Sequence, residues 1–210
     1  MNYLEIIGKN LVHERRVQDY IDWAVLKLEQ GFETESIITL VSLMLEVFPD
    51  IDLAERYFIQ SMDELGLSSP IDKTAIYAYL QFYCDEVILG KVDFDFGVYE
   101  LKNMCEIIEN DPVLELVYHP IMAIWYYFYE DLEMLEIGEN FLFNSGLCAE
   151  NSKDYTLKII LQFQYMLTIA LPKNFVFSSI FMNDKEWEMR DFEGRVLYLK
   201  NTNQNLIFKS

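Results

Sequence analysis

Tyr126, Tyr129, Glu133 and Glu136 fall three or four positions apart, with Met122 at the head of the run. On a helix that spacing sets two phenol rings beside two carboxylates on one face. The chemistry this offers is recognition rather than bond-making. Rings supply contact area at low entropy cost, and carboxylates supply complementarity to a basic partner. The same tyrosines would equally suit a half-buried position between helices with their hydroxyls at the surface, so both readings stand. Glu130 and Asp131 lie inside the run, and Asp85, Glu86, Asp93 and Asp95 would extend such a surface, as would Asp52 and Glu55. An adjoining stripe, Ile121, Ile124, Phe128, Leu132 and Leu135, reads as core.

Residues for catalysis are scarce. His13 sits in His13-Glu14-Arg15-Arg16 and His119 precedes Pro120, and neither has a second histidine at metal-ligand spacing. Cys84, Cys105 and Cys148 form no C-x-x-C pair, which speaks against a structural zinc. They read as small buried hydrophobes in a reducing compartment. No glycine-rich phosphate loop is present, and Asp95-Phe96-Gly97 lacks the other signatures of a kinase. Asp93 and Asp95 alternate with Phe94 and Phe96, which is either a loose cation site or a capped loop over two buried phenylalanines. Adjacent acid pairs such as Asp63-Glu64, Asp85-Glu86 and Glu130-Asp131 arise by composition when there are 35 acids. General acid/base work needs carboxylates set apart by their environments. No enzyme, metal or cofactor is expected.

The elements that must position these residues are helices. Val17, Tyr20, Ile21, Ala24, Val25 and Leu28 mark one helical face, closed by Gly31. Ser36–Phe48 is apolar nearly all round, which predicts a central helix covered on several sides. Pro49-Asp50 stops it, and Asp50 can cap a helix ending at Gly66. Ser69-Pro70 opens another, with Ile76, Tyr79, Leu80, Tyr83 and Val87 inside and Gly90 at its end. Val98, Leu101, Cys105 and Ile108 mark the next, and Asp111-Pro112 starts one that His119-Pro120 interrupts. The Ile121–Leu135 helix stops at Asn144-Ser145-Gly146, and a last one spans about Ser152 to Leu171.

The predicted architecture is mainly α. It comprises about eight helices over residues 1–172, as an irregular bundle or a HEAT-like antiparallel stack. Leu43–Leu67 and Ile124–Leu147 echo each other loosely, each an apolar helix, an acidic junction and a helix ending near Gly-Leu. Residues 173–210 are short, aromatic and β-branched runs, Phe175–Met182, Trp187–Phe192 and Val196–Leu199. They predict a small antiparallel β appendage with a turn at Glu193-Gly194.

Charge then narrows the partner. Between Leu28 and Asn151 stand 25 Asp/Glu and four Lys/Arg, while the flanks nearly balance, so the net charge of −19 sits on the middle. Phosphate ligands and anionic membranes would be repelled. A strongly basic protein would be attracted. With 52% hydrophobic and 15% aromatic residues the chain can build a sizeable core. No basic n-region opens it and no apolar run approaches the roughly 20 residues a bilayer requires, so it reads as a bacterial-style cytoplasmic protein.

Over Ile37–Leu101 the chain resembles the helical immunity proteins encoded beside bacterial polymorphic and contact-dependent growth-inhibition toxins. The resembling features are an apolar helix, Phe48-Pro49-Asp50, helix ends at Glu64-Leu65-Gly66-Leu67 and Ile88-Leu89-Gly90-Lys91-Val92, and a Gly97-x-x-x-Leu101 helix start. The resemblance implies a cytosolic protein that binds a cognate toxin domain, often a nuclease, in a 1:1 complex and blocks it. No binding residues carry over from it. A nuclease holds phosphates in a basic cleft, which an acidic surface can occupy in their place. A helical adaptor that binds a protein or peptide and inhibits nothing fits the same residues.

Overall fold

A computed structural model describes residues 1–114 and 122–173, apart from 140, 141, 143 and 145, with side chains as far as Thr168 except at Ala123 and Ile124; beyond Lys173 it describes backbone segments alone. The described residues are mainly helical. Eight α-helices appear among them: α1 (Tyr3–Val12), α2 (Val17–Glu29), α3 (Glu35–Ser42), α4 (Ile51–Glu64), α5 (Asp72–Ile88), α6 (Phe94–Asn110), α7 (Ala123–Glu136) and α8 (Ser152–Lys173). The chain divides into two compact units, Met1–Phe82 and Tyr83–Ser210.

In the first unit α2, α3 and α4 pack on one another, and α1 packs on α2. Tyr20, Trp23, Ile37, Leu40, Phe58 and Met62 form the core, with Phe58 4.9 Å from Trp23 and 5.0 Å from Tyr20 between ring centres. Helix α1 is absent from the periodicity reading, yet its start is written locally. Asn2 accepts from the Glu5 N–H at 3.1 Å, and Glu5 accepts from the Asn2 N–H at 2.6 Å, a reciprocal cap. Gly8 lets α1 approach the start of α5, since a Cβ there would lie 2.0 Å from the Ala75 carbonyl oxygen.

One expectation is overturned in this unit. Ser36–Phe48 is not a central helix. α3 ends at Ser42, a 3₁₀ turn covers Leu43–Leu45, and Met44, Leu45, Val47 and Phe48 are exposed. Ser42 Oγ turns back to the Thr39 carbonyl at 2.6 Å, a local bond that competes with helix continuation. Ile37, Leu40 and Leu43, three positions apart, are the buried apolar residues of the run, with Val41 partly buried against the same core. The helix with apolar burial on several faces is α5, where Ala75, Ile76, Tyr77, Tyr79, Leu80, Tyr83, Cys84 and Val87 are all buried. It begins at Asp72, two residues beyond Pro70 rather than at it.

In the second unit α6 packs on α7. Val98, Leu101, Met104, Cys105 and Ile108 form the buried face of α6. Trp125 and Phe128 carry that of α7, with Trp125 edge-on to Phe163 of α8 at 5.4 Å. Gly97 sits where a Cβ would come within 2.5 Å of a Val87 methyl, so the start of α6 lies tight against the end of α5. The echo between Leu43–Leu67 and Ile124–Leu147 is not a structural repeat. Pro49-Asp50 precedes a helix, whereas Glu130-Asp131 lies inside α7. His119-Pro120 and Ser145 lie outside the described residues. Gly31, Gly66, Gly90 and Gly138 each have φ between 68° and 87°, just past a helix end, with nothing within 4 Å of the place a Cβ would take.

Candidate functional site: an acidic cleft in the second unit

The first turn of α6, the C-terminal half of α7 and the start of α8 enclose a cleft of about 510 Å³. Its carboxylates are Asp93, Asp95, Glu133 and Glu136, and Val98, Leu132 and Leu135 contribute apolar wall. Tyr129 stands among them, and Lys153 is the one cation in the lining among the described residues. Lys153 Nζ lies 5.2 Å from the Phe94 ring centre, over its face.

Each element places its acids for a local reason. Asp93 caps α6, its Oδ1 accepting the Phe96 N–H at 3.1 Å, so the aspartate is held at the helix start. Asp95 falls in the first turn, where the helix dipole favours negative charge. Glu133 and Glu136 follow Tyr129 at intervals of four and three on α7, so all three share one face. That proximity shows in the phenol. Burial raises the Tyr129 pKa above its ordinary value, and the charges of Glu133 and Glu136 raise it further. The hydroxyl therefore remains a protonated donor. Tyr99 packs against the ring at 5.9 Å, and Lys102, paired with Glu106 at 2.7 Å, lies 5.9 Å from its centre.

Of the ten partner-facing residues expected from sequence, five line this cleft: Tyr129, Glu133, Glu136, Asp93 and Asp95. Tyr126 is exposed on the neighbouring face of α7, and a hydrogen bond to Glu130 raises its pKa. Asp85 and Glu86 are engaged elsewhere in the unit. Asp85 accepts from Gln164 Nε2 at 2.7 Å, and Glu86 pairs with Lys91 at 2.7 Å.

Asp131 is a correction. It is 1% exposed, and its Oδ2 accepts the Asn144 backbone N–H at 2.8 Å and the Asn144 Nδ2 at 2.5 Å. It ties the segment after α7 to the helix and offers no surface. Met122 is likewise buried at the head of the stripe rather than exposed with it. The Asp93 and Asp95 segment is the start of a helix, with Phe94 half-buried and Phe96 exposed. Among the described residues no group of three His, Cys, Asp or Glu is arranged to hold a metal ion. Cleft residues that the sequence reading missed are Lys153 and Thr156, whose signal is tertiary, since α8 is separated from α6 and α7 in sequence.

Compared with models of protein families, with curated proteins and with solved structures, the chain finds no match.

Proposed function

We propose that this protein is a non-enzymatic immunity protein that neutralises a cognate bacterial toxin domain by occupying its basic active site. The observation that carries the reading is the cleft itself, in which four carboxylates and a protonated phenol converge from two helices beside Lys153. A basic side chain with an apolar stem matches both the acids and the apolar wall. Complementary fields across such a surface raise association rates to about 10⁸–10⁹ M⁻¹s⁻¹ at low salt. Speed of that order suits a protein that must intercept a toxin before the toxin reaches nucleic acid. A nuclease is the favoured partner, because its phosphate-binding cleft is basic. The complex is 1:1 and forms in the cytoplasm; no helix among the described residues is long and apolar enough to cross a membrane.

Two further observations support a binding rather than a catalytic role. Burial raises the thiol pKa of Cys84 and of Cys105, which keeps both protonated and poorly nucleophilic. His13 packs edge-on against Tyr79 at 5.7 Å in the first unit. Residues 173–210 belong in this reading as a β appendage to the helical body. The antiparallel backbone pairing of Phe177–Met182 with Glu186–Asp191, and of Glu186–Asp191 with Val196–Lys200, supports it. The Glu193-Gly194 turn lies outside the described residues.

The test uses the C-terminal domain of the protein encoded immediately upstream. RNA and DNA cleavage by that domain is measured with and without an equimolar amount of this chain. Abolished cleavage is the expected result. Cleavage that continues unchanged beside the chain would sink the proposal.

A further inference from the structure

We propose that the exposed run Met44–Phe48 is a docking wedge for an apolar pocket with a basic rim on the partner protein. It belongs to the first unit, whereas the acidic cleft belongs to the second. The inference rests on the immunity reading for the identity of the partner and for its basic charge.

The wedge is apolar where a helical surface should be polar. Leu43 is 3% exposed and anchors the turn in the core, but Met44, Leu45, Val47 and Phe48 are 60%, 83%, 83% and 91% exposed. Single exposed hydrophobes need no explanation, whereas four within five positions form a contiguous patch that marks an interaction surface. Both ends are held. The Glu46 N–H donates to the Leu43 carbonyl at 3.1 Å, and Asp50 Oδ1 accepts the Leu53 N–H at 2.9 Å to fix the start of α4. A run fixed at both ends loses less freedom on docking than a loose loop does. Phe48 is the residue of anchor type, a large ring with its face in water.

Charge selects the occupant. Between Lys27 and Arg56 the sequence has seven acids and no base. Arg15 pairs with Asp52 and Glu55 of α4. A second copy of this chain would bring acid against acid around the wedge. A partner whose pocket is ringed by lysine or arginine meets the opposite condition.

The experiment measures binding of the full chain, Phe48→Ser and the double variant Leu45→Ser/Val47→Ser to the upstream-encoded domain at about 150 mM NaCl, where long-range steering is screened. Each variant is expected to raise Kd by about tenfold or more, through faster dissociation, with its melting temperature unchanged. Wild-type affinity in both variants would overturn the wedge and leave the immunity reading intact. A wild-type chain that does not bind the domain would overturn both. Sedimentation of the free chain supplies a third arm. A dimer that Phe48→Ser converts to monomer would overturn the proposal by showing that a second copy is the occupant.

Discussion

At the scale of single residues, the structure separates acids that hold the protein together from acids that face outward. Asp131 looks in sequence like half of an acidic pair, yet it is the buried acceptor for two Asn144 donors. Replacing Asp131 with Ala would strand both donors, so a loss of about 2–3 kcal/mol is expected in urea unfolding. Asp93 has two tasks, as cap of α6 and as a wall of the cleft. Asn caps as well as Asp does. Asp93→Asn should therefore keep stability and slow partner association, whereas Asp93→Ala should also lose about 1 kcal/mol of stability. Stopped-flow association beside thermal melting distinguishes the two. For Tyr129 the sign is set by its neighbours. Negative charge at Glu133 and Glu136 opposes tyrosinate formation, so Glu133→Gln/Glu136→Gln should let the phenol ionise at lower pH. It should remain above the ordinary tyrosine value, because burial still acts. Ultraviolet difference titration of each form against its Tyr129→Phe counterpart isolates this phenol among the chain's 14 tyrosines, and an unmoved midpoint would show that the two glutamates do not act on the ring.

At the scale of elements, the close approaches carry the risk. A methyl at Gly97 would press on Val87, and one at Gly8 would collide with backbone at Ala75. Gly97→Ala should cost about 1–3 kcal/mol, since a side chain can shift. Gly8→Ala should cost more than Gly97→Ala, since the obstacle is a carbonyl; denaturant midpoints rank them. Most of the helices were legible because their inward residues recur at three-and-four spacing and their ends carry Gly, Pro or Asp. Ile76, Tyr79, Leu80, Tyr83 and Val87 are all buried as that spacing requires, as are Val98, Leu101, Cys105 and Ile108. Helix α1 escaped because its apolar stripe is short, although Asn2 and Glu5 spell its cap. The stretch after Ser42 misled for the opposite reason. An all-apolar run states that burial would be favourable, but not that any neighbour is present to supply it. The acids and the phenol of the cleft were legible, Tyr129, Glu133 and Glu136 because they share one helix and Asp93 and Asp95 because they sit at a capped helix start. The contribution of α8 was not, because nothing in a one-dimensional pattern says which helices meet.

At the scale of the whole molecule, charge governs behaviour in solution. A net charge of −19 carried mostly by the middle of the chain destabilises the folded state through self-repulsion. Raising NaCl from about 20 to about 300 mM should raise the melting temperature while it slows association with a basic partner. Opposite responses to one variable are the signature; a melting temperature that falls with salt would show that attractive pairs such as Lys9–Asp19 outweigh the repulsion. The glycine stops have their own consequence. Gly31, Gly66, Gly90 and Gly138 end helices by backbone conformation alone, with open space around each. Where a helix ends is thus written separately from what its outer face displays. Such a chain can exchange its exposed side chains without moving the frame that presents them.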